Sequence, residues 1–207
     1  MTRSDDADGS VSPPVERALR VFVAVSLSPP LRQAVRTLQH SWSATGAQPR
    51  WVDPENLHVT LRFLGLLPEG RVGDVTGAAE EASRDVGPFL LGLGSCGRFP
   101  PRGSPRVLWV GITDGARELA ALASALDAAL RRRRFPREER AFRPHVTVAR
   151  IREGDRLPGL EAWLEGCGDH ELGQMRVEAI HVMESQLRPQ GPLYRPLAVV
   201  PLGRAGR

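Results

Sequence analysis

Lysine is missing from this chain: all 28 of its basic residues are arginine. Against 24 acidic residues they leave a formal charge of +4 and a pI near 10.2. The planar guanidinium suits phosphate, but arginine-rich codon usage produces the same composition, so charge is compatible with an anionic partner and names none. Cysteine is scarce. Cys96 and Cys167 are too few for a disulfide framework and lack metal-binding spacing, so they are expected to be buried thiols. No apolar run approaches the ~18 residues of a membrane span, and residues 1–10 hold no signal-like apolar region, so the expectation is a cytoplasmic protein without a membrane partner.

Instead, one short pattern occurs twice: His58-Val59-Thr60-Leu61 and His145-Val146-Thr147-Val148. Both alternate polar and apolar, the period of a half-buried strand. His58 and Thr60 therefore project together, as do His145 and Thr147, while the valines turn into a core. The 207 residues are enough for one bilobal domain. If two halves face each other, two histidines and two threonines line one cleft.

Residues 1–16 lack hydrophobic periodicity and are expected to be a disordered tail, leaving 17–207 as a single bilobal domain. Residues 20–26 form a first strand. A helix opens at Pro29-Pro30 with Leu31, Val35, Leu38 and Trp42 on one face. The first histidine strand spans 57–64, stopped by Gly65 and Pro68; a helix follows over 69–85, then strands at 89–97 and 106–111. The clearest helix covers 116–134, with Leu119, Leu122, Leu126 and Leu130 on its apolar face. The second histidine strand is 145–150, followed by a short helix at 160–165 and strands at 177–184 and 194–200. The expected class is α+β: two mainly antiparallel sheets facing a central cleft, helices packed outside. The second half lacks a recognisable copy of the first strand.

Two imidazoles across a cleft suit in-line displacement at phosphorus, one taking a proton from the attacking oxygen and the other protonating the leaving oxygen. Threonine hydroxyls can donate to non-bridging oxygens. No Asp/Glu/His cluster with ligand spacing stands near these strands, so neither metal nor cofactor is called for.

The surrounding residues carry a resemblance. The segments Arg20-Val-Phe-Val-Ala, Asn56-Leu-His-Val-Thr-Leu-Arg-Phe-Leu-Gly65 and Arg106-Val-Leu-Trp-Val-Gly111 are the first part of it. Phe142-Arg-Pro-His-Val-Thr-Val-Ala-Arg150, His181-Val-Met-Glu-Ser and Tyr194-Arg-Pro-Leu complete it. Over residues 17–202 the chain resembles the two-histidine phosphoesterase superfamily, and within it the RNA 2′,3′-cyclic phosphodiesterases, also called 2′-5′ RNA ligases. The resemblance implies metal-independent hydrolysis of a cyclic phosphate at an RNA end, giving a 2′-phosphate, with possible reverse ligation. It implies His58 as proton donor, His145 as proton acceptor, and Thr60, Thr147 and Arg150 as phosphate-binding residues. A monomer with RNA as its partner is expected. The residues alone do not say which histidine is the acid.

Strict alternation places Arg150 on the face opposite His145, so its role needs a bulge or a strand end. Arg62 shares parity with His58 and could reach substrate. Phe22 and Trp51 could stack on a base, with Phe22 better suited to the core. Arg131 to Arg134 could track RNA or simply cap a solvated helix; His181 reads as structural, and His40 and His170 as surface residues. Rival readings keep the site for a small cyclic nucleotide, an ADP-ribose cyclic phosphate or a 2′-5′ oligonucleotide, or make the protein a non-catalytic RNA-end binder. A pocket lined with stacking aromatics and a wide basic rim favours RNA; a closed pocket favours a small nucleotide.

Overall fold

The computed structural model describes residues 17–42, 48–155, 157–168, 171–189 and 191–203. The tail expected over residues 1–16 lies outside these, as does His170. The chain begins with strand β1 (Ala18–Ser26) and helix α1 (Pro29–His40). A two-residue strand β2 (Arg50–Trp51) leads through a 3₁₀ turn at Pro54–Asn56 into β3 (His58–Pro68). Then come α2 (Val72–Ser83), β4 (Phe89–Phe99), β5 (Val107–Asp114), α3 (Ala116–Arg132) and β6 (His145–Arg150). The last elements are α4 (Leu160–Cys167), β7 (Glu171–Val177), β8 (Ala179–Arg188) and β9 (Gly191–Pro201).

The strands run in the order β7-β4-β5-β6-β3-β1-β8-β9, every neighbouring pair antiparallel, with β2 alongside the end of β6. Two four-stranded halves are visible, as expected, but they join through one residue pair, Val59 opposite Val146, into a single curled sheet. Helices α2 and α3 pack together over β3, β8 and β9, while α1 and α4 cover β7 and β4. The α3 leucines 119, 122, 126 and 130 are all fully buried, each stabilising the fold by roughly 1.5–3 kcal/mol.

Four details depart from the sequence reading. Gly65 does not stop β3. It adopts φ +73° at a bulge where Leu64 has no partner, and the strand continues until Pro68 pairs with Ala18. Strand β7 escaped detection because it is a half-exposed edge without alternation, interrupted by Gly173 at φ +120°. The missing copy of the first strand is β5: β1 precedes α1 and pairs with β3, and β5 precedes α3 and pairs with β6. Its hairpin with β4 disguised it, because β4 belongs in sequence to the first repeat and in space to the second half. Finally, Cys96 on β4 and Cys167 on α4 are bonded as a disulfide rather than being free thiols. The sequence separation of 71 residues hid their proximity.

Both histidine strands also carry a bulge at the last residue of the motif. Leu61 is skipped between Thr60 (opposite Ala24) and Arg62 (opposite Val23). Val148 is skipped between Thr147 (opposite Trp109) and Ala149 (opposite Leu108). The second bulge is held from α1. The Gln39 side chain, 5% exposed, donates from Nε2 to the carbonyls of Val148 (3.0 Å) and Val52 (2.9 Å), and the Val52 N–H also donates to Val148 (2.9 Å). Replacing Gln39 by Met keeps the volume and removes both donors. It is expected to lower stability by about 1–3 kcal/mol in urea denaturation; an unchanged midpoint would mean that the bulge does not depend on this amide.

Candidate active site

The register through Val59 and Val146 sets the geometry. Both valines are fully buried, so the residues flanking them face the other way. His58 comes level with Thr147 and Thr60 level with His145, a local two-fold arrangement of four side chains on one surface. All four line a cleft of about 2090 Å³. Among the described residues no group of three or more histidine, cysteine or carboxylate side chains could hold a metal ion.

Each imidazole is oriented in the same way. His58 Nδ1 lies 2.7 Å from the Asn56 carbonyl, and His145 Nδ1 lies 2.6 Å from the Arg143 carbonyl. A carbonyl only accepts, so Nδ1 carries the proton in both rings and Nε2 is the nitrogen left to exchange one. Aromatic rings fix the planes. His58 touches Phe22 (4.9 Å between centroids) and meets Tyr194 edge-on (5.3 Å). His145 meets Phe99 edge-on (5.1 Å) and Trp109 at 6.4 Å. Gly97 makes the second arrangement possible: a Cβ there would stand 2.1 Å from the Trp109 ring. The Asn56 side chain also donates to the Pro192 carbonyl (2.8 Å), tying the β8–β9 hairpin to the approach to His58.

Burial is the main influence on both histidines. It pushes His58 down to about 4, against an opposing hydrogen bond to Asn56, with Arg150 and His145 adding positive charge that lowers it further. His145 is also pushed down by burial, and by Arg150. Burial raises the Tyr194 phenol, so it stays protonated at neutral pH.

The bulge after Thr147 returns Arg150 to the cleft surface, opposite Val107, and its charge is felt at His58, His145 and Tyr194. The equivalent bulge in β3 does the reverse to Arg62. That residue stands opposite buried Val23 and is itself 7% exposed. Its guanidinium donates to the Pro136 carbonyl and pairs with Glu138 and Asp127, so it braces α3 and the following connection and is not free for a ligand. Phe22 is buried beneath His58, and Trp51 borders the cleft while packing against Trp42 and Trp163. Arg132 and Arg133 pair with Glu81 of α2, so the middle two residues of that basic run tie the end of α3 to α2, while Arg131 and Arg134 are exposed. His181 lies on β8 opposite Ala24. His40 is exposed and borders the cleft. Tyr194, Phe99 and Asn56 were not singled out as site residues. The signal for Asn56 was present in the parallel spacing of Asn56-Leu-His58 and Arg143-Pro-His145, but no local pattern announces the two aromatics.

Two imidazoles with matched tautomers thus share one cleft on a curled α+β sheet. Residues 27–188 match the 2′-5′ RNA ligase superfamily, and the chain belongs to that superfamily. It is 36% identical over 170 residues to the RNA 2′,3′-cyclic phosphodiesterase of Aeropyrum pernix, a match covering 82% of this chain and 96% of that protein. A protein of the same name from Methanothermobacter thermautotrophicus is 34% identical over 184 residues, 87% of this chain and 97% of the relative. Among solved structures, a protein from Thermus thermophilus has a TM-score of 0.75 at 29% identity, over 90% of this chain and 99% of that one. Escherichia coli LigT, solved with 3′-AMP, has a TM-score of 0.71 at 25% identity with the same coverage.

The depressed His58 has a consequence for stability. Its folded value, about 4, lies below the ordinary 6.5 of the unfolded chain. The unfolded state therefore takes up the proton first as pH falls, and stability rises with pH between those two values. Relative to His58→Gln, the wild type should lose up to about 3 kcal/mol more between pH 7 and pH 4 in urea denaturation. A wild-type–variant difference that stays flat with pH would mean an ordinary imidazole.

Proposed function

We propose that this protein hydrolyses RNA 2′,3′-cyclic phosphate ends to 2′-phosphomonoesters, without a metal, using His145 as proton acceptor and His58 as proton donor. The paired histidines, each with Nε2 free on the cleft surface, are the observation that carries this reading. Relatives named RNA 2′,3′-cyclic phosphodiesterase support the substrate. Water attacks phosphorus in line; His145 Nε2 takes its proton as the new P–O bond forms. The P–O3′ bond breaks, and the proton from His58 Nε2 goes to the leaving 3′ oxygen. Thr60 and Thr147 donate to the non-bridging oxygens, and Arg150 offsets their growing charge. The same transfers in the same direction, with an RNA 5′-hydroxyl in place of water, give 2′-5′ ligation: P–O5′ forms as its proton goes to His145, P–O3′ breaks, and the His58 proton goes to the 3′ oxygen.

Burial and Arg150 keep both imidazoles neutral when no anion is bound. The negative charge of a bound phosphate favours the imidazolium, so His58 acquires its proton with the substrate. The cleft is open and several-fold larger than the pockets that enclose small ligands. Arginines at its rim add an attraction for a polyanion. Both features favour an RNA strand over an enclosed nucleotide. A mononucleotide is the second reading, since LigT has been solved with 3′-AMP.

The test is turnover of a short RNA ending in 2′,3′-cyclic phosphate, in EDTA. Wild type should release a 2′-phosphate. His58→Ala and His145→Ala should each lower kcat by about 10²–10⁴-fold, and Thr60→Val and Thr147→Val by about 10²–10³-fold. Full loss of wild-type activity in EDTA, restored by a divalent ion, would sink the metal-free route. Binding without turnover would leave a recognition protein.

A further inference from the structure

Strand β2 brings a second arginine beside the first. Arg50 pairs directly across from Arg150, and Trp51 across from Ala149, in the antiparallel β2–β6 ladder. Directly opposed residues of an antiparallel pair project from the same face, and like charges in that position are destabilising. Such a pair is normally relieved by a carboxylate. Among the described residues neither arginine has one: no ion pair or side-chain hydrogen bond is made by Arg50 or Arg150, and both are exposed to the cleft. Two carboxylates of the β2–β3 connection that line the same cleft are engaged elsewhere. Asp53 accepts from the Glu55 N–H and caps the 3₁₀ turn, and Glu55 pairs with Arg32. Arg36 of α1 brings a further guanidinium to the same cleft, with His40 one turn along the helix. The buried Gln39 between them holds the β6 bulge that aims Arg150. Arg150 is close enough to act on both histidines. Arg50 stands beside it on β2, at the end of β6 opposite to His145.

We propose that Arg50, facing Arg150 across the β2–β6 ladder, forms a second anion subsite that binds the internal phosphodiester on the 5′ side of the terminal nucleotide. This rests on the RNA reading above. It makes the protein a reader of a strand end with at least two phosphates. The paired cations lose their mutual repulsion when an anion sits between them, so the ladder is at lower energy with RNA bound than empty.

The test separates this subsite from the chemistry by measuring binding. The probes are a dinucleotide 2′-phosphate with an ordinary internal phosphodiester and the same molecule with a neutral methylphosphonate at that linkage. Affinities of wild type, Arg50→Gln and Arg117→Gln are measured by calorimetry at several salt concentrations. Arg117 is exposed on α3 outside the cleft and controls for net charge. Wild type and Arg117→Gln should prefer the charged linkage by about tenfold. Arg50→Gln should prefer it by less than about twofold, with a salt slope shallower by about 0.7. Equal affinity of wild type for both probes, or an undiminished preference in Arg50→Gln, overturns the subsite whether or not the RNA is turned over. A preference lost only in Arg50→Gln supports it even if the cyclic phosphate is left intact, an outcome that would instead count against the hydrolytic reading.

Discussion

A single backbone pairing, Val59 with Val146, holds the two halves of the sheet in register. Side chains alternate with a period of two, so burying these two valines forces their neighbours on both strands onto the opposite surface. A shift of one residue in either strand would bury a histidine–threonine pair and expose valine. The hydrophobic cost of that slip is what fixes the site: the valines anchor the registration, and the histidines inherit it. The duplicated order β-α-β explains why the arrangement is close to two-fold, since each repeat supplies one central strand with the same motif.

Around this joint the sheet solves a second problem, how to hold two imidazoles nearly fixed without ionising them. Each ring donates through Nδ1 to a carbonyl two residues earlier and is wedged by aromatic side chains from neighbouring strands. The aromatic surroundings exclude water and lower both pKa values, while the backbone bonds pull the other way. The balance favours neutral rings with one defined nitrogen free. Cations on the same surface deepen that preference until an anion arrives. In the proposed reaction, charge distribution and chemistry are therefore coupled: the groups assigned to the phosphate also keep His58 from being protonated without one.

The bulges show where sequence periodicity stops being a guide. Counting by twos from His58 puts Arg62 on the same sheet face as that histidine, and counting from His145 puts Arg150 on the opposite face. Both counts are inverted by one unpaired residue, Leu61 in β3 and Val148 in β6. Neither residue is a glycine or a proline that would have marked the irregularity. What creates the β6 bulge is remote in the chain: a glutamine on α1 and the amide of Val52 satisfy the carbonyl that the bulge frees from the ladder. The disulfide and the role of β5 belong to the same category, because each depends on which strand of one repeat lies beside which strand of the other.

Features with a local cause were legible in the order of residues. Alternation set β1, β3 and β6; the leucine spacing set α3; the doubled motif identified both histidines and both threonines, and its flanking residues pointed to the superfamily. Features that needed a partner from another element came from packing alone. These are the single sheet in place of two, the buried bracing role of Arg62, the return of Arg150 to the cleft, the rings that wedge each imidazole, and the opposition of Arg50 to Arg150. Periodicity records which side of its own strand a residue occupies. Only the packing of distant segments decides what lies across from it, and the energies of charge, hydrogen bonding and burial depend on that neighbour.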